Sequence, residues 1–445
     1  MASQTEGIRH GSPAFDTLFL LVLSLAGYLL GQSGIPVEDG GEAITVARLG
    51  GTMHPPGMPL LALLLRVSWL AGEAGPAVLA ALCASLSLIL LFRRSGVAGL
   101  AMALAIMALP SFRERVLAWD AYGLLFLLFS IALASERLEG LPSGYLTGLS
   151  LAVHPAGVLM PAALPWKRLK TIPVLCGLVL GASLYLALPV MSEAGCVVNW
   201  GSPGTLVKFV AQVSAAGYRE VYGASMGSPD AAVLLRHLSV LWRMLWPAFL
   251  LPAAAGAILL ARSSKRMLLR LGLLVALDAI FTLFVNPMAS GTSQTGWLSL
   301  LVLCALAAAA CEGLPRTASL ALAAVLALSS LIAPGDPLPD QRGDVEAFAS
   351  SAPLDAGLFI SDNDLLYGCW IVKYVRDERP DLVLLSTGNF SPWFESLARR
   401  YNPDLDTSGG LSEAGGPGTP RDVVVSRLIE MTIRNNPDRR FFIDL

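Results

Sequence analysis

Residues 76–94 read PAVLAALCASLSLILLFRR, an uncharged apolar run from Pro76 to Phe92 closed by the basic pair Arg93 and Arg94. A helix over that run rises about 25 Å, close to the hydrocarbon thickness of a bilayer. A basic pair at its end marks the cytoplasmic side. The pattern recurs along the chain, in Phe15 to Ser33, Val97 to Pro110, Tyr122 to Ala134, Ile172 to Pro189, a stretch ending near Ala261, Met267 to Val285, Trp297 to Cys311 and Thr317 to Ala333. Basic clusters fall between these runs, around Arg137 and at Lys167 to Lys170, Arg262 to Arg270 and Arg316. Placing every cluster inside predicts about nine spans, the first of them an uncleaved span rather than a removed signal peptide.

Composition agrees with a lipid solvent. Of 445 residues, 54% are hydrophobic and only 14% charged, too little polar surface to cover the apolar mass in water. The net charge of −2, with 31 basic residues dispersed in short clusters, gives no basis for binding nucleic acid. Six cysteines lie far apart without a CxxC pair, so zinc and thioredoxin-type chemistry are unsupported. Cys83, Cys176, Cys304 and Cys311 fall within apolar segments and read as small buried residues.

Two pieces resist the simple pattern. Residues 143–166 must begin and end inside yet are too short for two crossings, which predicts a short helical hairpin with His154 and Pro155 at its outer tip. Gly57 to Leu70 is apolar but carries Arg66 and opens on His54-Pro55-Pro56-Gly57; an amphipathic helix at the outer interface keeps the later basic clusters inside. Four segments are then expected outside: 34–75, 111–120, 196–230, and everything after Pro334.

The fold expected is therefore mainly α: a polytopic transmembrane helical bundle over 1–333 and a small α/β soluble domain over 334–445, outside the cytoplasm. In that domain Gly357 to Ile360, Leu382 to Ser386 and Phe441 to Ile443 read as strands. Leu365 to Val375, Pro392 to Arg400 and Asp422 to Arg434 read as helices, with a Gly-rich linker from Gly409 to Gly418.

Candidate chemistry gathers in the outer loops. Glu38, Asp39 and Glu42 follow the first span, where desolvation favours a carboxyl able to take a proton from a hydroxyl. The alternative, which spacing alone favours, is that Asp39 caps the helix from about Glu42 to Leu49. Arg113 and Arg115 lie where basic residues are disfavoured, and a guanidinium there suits the phosphate of a lipid anchored in the bilayer. Pairing with Glu114 or reaching for headgroups are the alternatives. His54 and His154, both at the outer boundary, have no carboxylate pair at ligand spacing in sequence and make a weak metal case. Asn199 and Trp200 offer an amide and an aromatic face, suited to a sugar or to interfacial anchoring.

Taken in order, Asp39-Gly-Gly-Glu42, His54-Pro-Pro-Gly57-Met-Pro59, Trp119-Asp120-Ala-Tyr122, Gly148 to His154, Asn199-Trp200-Gly201-Ser-Pro203 with Tyr218, and Ser361-Asp362-Asn363 leading to Arg379-Pro380-Asp381 resemble one family. It is a family of membrane proteins of formerly unknown function related to the protein O-mannosyltransferases of the GT-C glycosyltransferase class. The resemblance covers nearly the whole chain. It implies a GT-C bundle, a polyprenyl-phosphate sugar as donor (mannose or another hexose), and inverting transfer to an acceptor hydroxyl on a protein or glycan. Carried over by position, Asp39 is the general base with Glu42 beside it, and His54-Pro55-Pro56 matches an HPP motif. Where relatives carry Glu-x-Tyr, this chain has Asp120-Ala121-Tyr122, a shorter acid.

On this reading Arg113 or Arg115 matches the charge of the departing phosphate, and His54, Asp120, Tyr122, His154, Asn199 and Trp200 bind substrate. No metal and no cofactor are expected, since the lipid-linked sugar phosphate is a substrate. The expected location is a bacterial plasma membrane. The competing reading is a lipid or solute transporter or flippase, which predicts broken helices near the midplane and an internal repeat; no repeat is found in the sequence.

Overall fold

A computed structural model describes residues 13–443 apart from 32, 136, 166–170, 195, 197, 217–226, 228, 245–246, 288–293, 333–339, 388–401 and 407–420. The expected helix Pro392–Arg400, the Gly409–Gly418 linker, Lys167 to Lys170 and Tyr218 lie outside the described residues. The chain is mostly helical with a few strands, and several helices are long and apolar enough to span a membrane.

Helix α1 (Pro13–Leu30) leads to the short α2 (Gly40–Leu49) and α3 (Pro59–Ser68). The long α4 (Gly75–Phe92) and α5 (Gly96–Met107) follow, then α6 (Pro110–Val116), α7 (Ala121–Ala134), α8 (Leu141–Val153) and α9 (Thr171–Ala182). After these come α10 (Ala231–Met244), α11 (Pro247–Ser263), α12 (Lys265–Ile280), α13 (Trp297–Gly313) and α14 (Arg316–Leu331).

Helices α8 and α9 show how such apolar elements recognise each other without a water-driven force. Gly144 and Gly148 on α8 face Gly177 and Gly181 on α9, and a β-carbon on any of them would overlap the partner's backbone. Small residues four apart on both helices let the backbones touch, the packing mode of helices in lipid. Within the segment expected to form a hairpin, 143–166, α8 ends at His154 and the chain continues in a 3₁₀ turn, Pro155–Leu159.

Length and composition single out fewer stretches than the nine expected. Among the described residues, length and composition qualify three helical stretches, Pro59–Met107, Thr171–Glu193 and Lys265–Val285, or up to five if two bent pairs each count as one. Even the first is interrupted, because Gly72 and Gly96 take positive φ and end α3 and α4 as separate pieces. Three other apolar helices stop short of the qualifying length. One of them, α13, is buried almost all round, so its apolarity serves a protein core as much as a membrane. The ten residues of α3 rise about 15 Å, half a bilayer. Leu61, Ala62 and Leu65 are buried on one face of α3, while Leu63 and Val67 on the other are exposed and equally apolar.

The C-terminal region forms a three-stranded parallel sheet of order β2-β1-β3, from β1 (Gly357–Ile360), β2 (Val383–Ser386) and β3 (Phe441–Ile443). Helices α15 (Arg342–Ser351), α16 (Asn363–Trp370) and α17 (Arg421–Asn435) accompany it. Alternating residues of β1 point to different cores, as a pleated strand requires. Phe359 packs with Val383, Leu385 and Leu428 on one face, whereas Leu358 and Ile360 join the main core of the protein. The sheet is thereby covered on both sides, the usual condition of a parallel sheet.

This domain meets the first loop directly. Pro36 pairs with Asp340 in an antiparallel bridge, and the Ile35 amide donates to Asp340 Oδ1 at 2.8 Å. The first loop and the domain are therefore in direct contact.

Candidate functional site

The site begins at the N-terminus of α2. Asp39 occupies the capping position, but its side chain accepts no hydrogen bond from the helix; only its carbonyl does, from Ala43 at 2.9 Å. The capping alternative is therefore not realised, and the carboxylate is directed elsewhere. Glu38 just before it holds φ of 54°, a left-handed conformation uncommon for a residue with a side chain.

Glu42, one turn into α2, is completely buried and grips His54 twice. Its Oε1 accepts the His54 amide at 2.9 Å, and its Oε2 lies 2.5 Å from His54 Nδ1. On the other edge of the ring, Nε2 is 3.8 Å from Asp39 Oδ2. Burial opposes a charge on His54, but the Asp39 and Glu42 carboxylates and the Glu42 hydrogen bond outweigh it and raise the imidazole to about 9. At neutral pH the ring is a cation between two acids, with Nδ1–H donating to Glu42.

A second set of polar groups reaches Asp39 from across the site. His154 Nδ1 accepts the Ala156 amide at 3.1 Å, which leaves its proton on Nε2. That nitrogen is 3.2 Å from the Tyr122 hydroxyl, which in turn donates to Gln294 Oε1 at 3.2 Å. Gln294 Nε2 then donates to Asp39 Oδ2 at 3.4 Å. Every donor in the series His154, Tyr122, Gln294 points the same way, and the last acceptor is Asp39.

Asp120 stays close to its local role. It caps α7, accepting the Tyr122 amide at 2.8 Å, and burial pushes its carboxyl well above the usual range, with Asp39 and Glu38 adding to the rise. Its side chain therefore serves the start of α7, and Asp39 acts on it only through charge.

The arginines divide. Arg115 is 2% exposed, and its guanidinium is spent on the protein: Nε donates to the Thr295 carbonyl at 2.6 Å, and Nη1 to the Ser111 carbonyl at 3.2 Å and to Glu114 at 2.8 Å. Arg113 is half-buried, with Nε donating to the Leu30 carbonyl at 2.9 Å. Arg115 therefore ties α6 to the Gln294–Gly296 segment. Gln294 escaped the sequence reading because an uncharged loop between two apolar runs carries no charge signal. That segment is also a contributor beyond the four outer segments expected.

Asn199 and Trp200 meet the first loop from another direction. Thr52 forms a parallel bridge with Asn199, and its hydroxyl donates to Asn199 Oδ1 and the Trp200 carbonyl, both at 3.1 Å. Trp200 is 3% exposed and packs against Trp370 of the C-terminal domain, ring centroids 6.4 Å apart. Its indole thus presents neither an open face to a sugar nor an anchor to lipid; it joins the loop to the domain.

The fold brings to His54 the carboxylate pair that its sequence neighbourhood lacks. Asp39 and Glu42 both reach His54, and one ligand atom from each of the three lies within 4.8 Å of the others. Such a set could hold a metal ion in principle. Two ligands of one ion bound at about 2 Å must themselves stand roughly 3 Å apart or more. Glu42 Oε2 and His54 Nδ1, at 2.5 Å, are closer than that and are placed as a hydrogen-bonded pair, which leaves His54 Nε2 as the ring nitrogen facing Asp39.

No protein-family model matches the chain, and a search of curated proteins finds no match.

Proposed function

We propose that the chain is a membrane glycosyltransferase of the GT-C type that moves a hexose, mannose being the first candidate, from a polyprenyl phosphate to an acceptor hydroxyl, with Asp39 as general base. The observation that carries the reading is that the Asp39 carboxylate, in position to cap α2, leaves the helix uncapped and turns to His54 and Gln294. Its side chain is 23% exposed, enough for a hydroxyl to approach. The residues that resemble the O-mannosyltransferase relatives around Asp39 and His54 supply the direction of the chemistry.

The acceptor oxygen attacks the anomeric carbon from the face opposite the phosphate. As that bond forms, the hydroxyl proton passes to Asp39 and the bond from carbon to phosphate oxygen breaks, releasing polyprenyl phosphate and inverting the anomeric centre. Cationic His54 holds Asp39 on one side and the Gln294 amide on another, so the base is oriented before substrate binds. Arg113 is the guanidinium assigned to the departing phosphate. Arg115, being buried, holds the loop that carries Gln294.

A lipid or solute transporter is the second reading, and one feature favours it: α6 and α7 meet at 98°, the shape of a broken span. Membranes containing the chain, supplied with radiolabelled polyprenyl-phosphate mannose and membrane extract as acceptor, separate the two. The transferase reading expects label on acceptor in inverted configuration and equimolar polyprenyl phosphate. Movement of intact donor between leaflets with no new glycosidic bond would establish the transporter.

A further inference from the structure

The C-terminal domain reaches the base through the backbone beside it. Helix α16 opens with Asp362 as its cap, whose carboxylate accepts the amides of Asp364 and Leu365 at 2.7 and 3.3 Å. This fixes the Asp364 backbone and leaves its own carboxylate to face away from the helix, where Oδ1 accepts the Glu38 amide at 2.6 Å. Glu38 is the residue in the left-handed conformation, and Asp39 is next to it. A non-glycine residue at φ of 54° persists only where its surroundings impose it.

The same stretch is gripped elsewhere by the same domain. Gln341 Nε2 donates to the Pro36 carbonyl at 2.7 Å and to the Asp364 carbonyl at 3.0 Å, and the Gln341 amide donates to the Ile35 carbonyl at 3.0 Å. On the α2 side, a β-carbon at Gly41 would come within 2.7 Å of Tyr367 Cβ, so α2 and α16 touch closely where the base is mounted. An aspartate before a helix ordinarily turns back to cap it. Here the left-handed turn at Glu38 sets the direction from which Asp39 leaves the chain, and its carboxylate does not cap.

We propose that the C-terminal domain is a positioning element for the site: Asp364, braced by Asp362 and Gln341, holds Glu38 in its left-handed conformation and so keeps the Asp39 carboxylate off α2 and against His54. Asp364 is a positioning residue, acting on substrate only through Asp39. Burial raises its carboxyl, against the Glu38 amide, which favours the charged form; an amide side chain of the same shape can accept the same hydrogen bond. The catalytic consequence rests on the reading of Asp39 as base, whereas the restraint on Glu38 does not.

The test compares Asp364→Ala, Asp364→Asn and Gln341→Ala in the full chain, by residue-resolved amide exchange and by sugar transfer. Loss of a carboxylate acceptor should speed exchange at the Glu38 amide roughly tenfold to a hundredfold in Asp364→Ala, with Asp364→Asn close to wild type. In the same variant kcat should fall about tenfold or more with KM unchanged, since a displaced base weakens the transition state and not donor binding. Unchanged exchange at Glu38 in Asp364→Ala overturns the proposal, as does faster exchange with undiminished kcat, or failure of Asp364→Asn to restore both. If Asp364→Ala does not fold, Gln341→Ala decides: faster exchange at Glu38 supports the restraint and unchanged exchange refutes it. If the wild type transfers no sugar, the function reading fails by itself and the exchange results still judge the restraint.

Discussion

The two charged loops, 35–58 and 110–122, have opposite fates. In the first, an acid placed where it should serve the backbone does not: Asp39 leaves α2 uncapped, and a neighbouring domain holds the turn before it in a left-handed conformation. In the second, a base placed as if to await a ligand is consumed by the backbone, Arg115 by the carbonyls of Thr295 and Ser111. Charge type and position along the chain do not decide which residues are available for chemistry. What decides is whether the surrounding main chain leaves the side chain unspent. The second loop then serves the first, because Arg115 holds the segment from which Gln294 reaches Asp39.

The contrast can be broken at several points. Arg115→Met should lower stability by about 3 kcal/mol or more, since it strips buried carbonyls and Glu114 of their partner; a thermal midpoint in detergent equal to wild type would return Arg115 to the pool of substrate-binding groups. His54 offers the next largest effect. Its folded value of about 9 lies above the unfolded 6.5, so its stabilisation is complete below 6.5 and is lost as pH rises through 9. The full effect is on the order of 3 kcal/mol. Midpoints measured from pH 6 to 10 should fall at the alkaline end, and His54→Gln should flatten that fall. Arg113→Ala should raise the KM for the lipid donor about tenfold, the value of a charge-assisted hydrogen bond, with a far smaller change in midpoint than Arg115→Met; equal donor KM in both proteins would remove Arg113 from the phosphate. The smallest effect is none: with a proton between Glu42 and His54, EDTA should leave transfer unchanged, whereas loss with EDTA and recovery on adding a divalent ion would mean that the three donors open around a metal.

Much of the C-terminal domain was legible because its signals are local. The strands Gly357–Ile360 and Phe441–Ile443 fall at the expected residues, and Val383–Ser386 within one. The acids of the first loop and His54 were also legible as candidates, being rare charges beside apolar runs. Their meeting was not, because Glu42 and His54 come together only when the chain turns back after α2. Gln294 and Asp364 were hidden for two different reasons. A neutral amide gives no charge signal, and an acid in the first turn of a helix looks like any other. The number of spans is less legible, because a helix such as Trp297–Gly313 is equally apolar in a protein core and in lipid, and because Gly72 and Gly96 break a run whose composition alone reads as continuous.

The claim on which the rest stands is that the uncapping carboxylate removes the acceptor's proton. Asp39→Asn, which keeps the shape and can still accept from Gln294, should cut sugar transfer from polyprenyl phosphate by about a thousandfold, with donor binding as in wild type and a thermal midpoint lowered only by the loss of one charge facing His54. Transfer at the wild-type rate by a folded Asp39→Asn protein would contradict it.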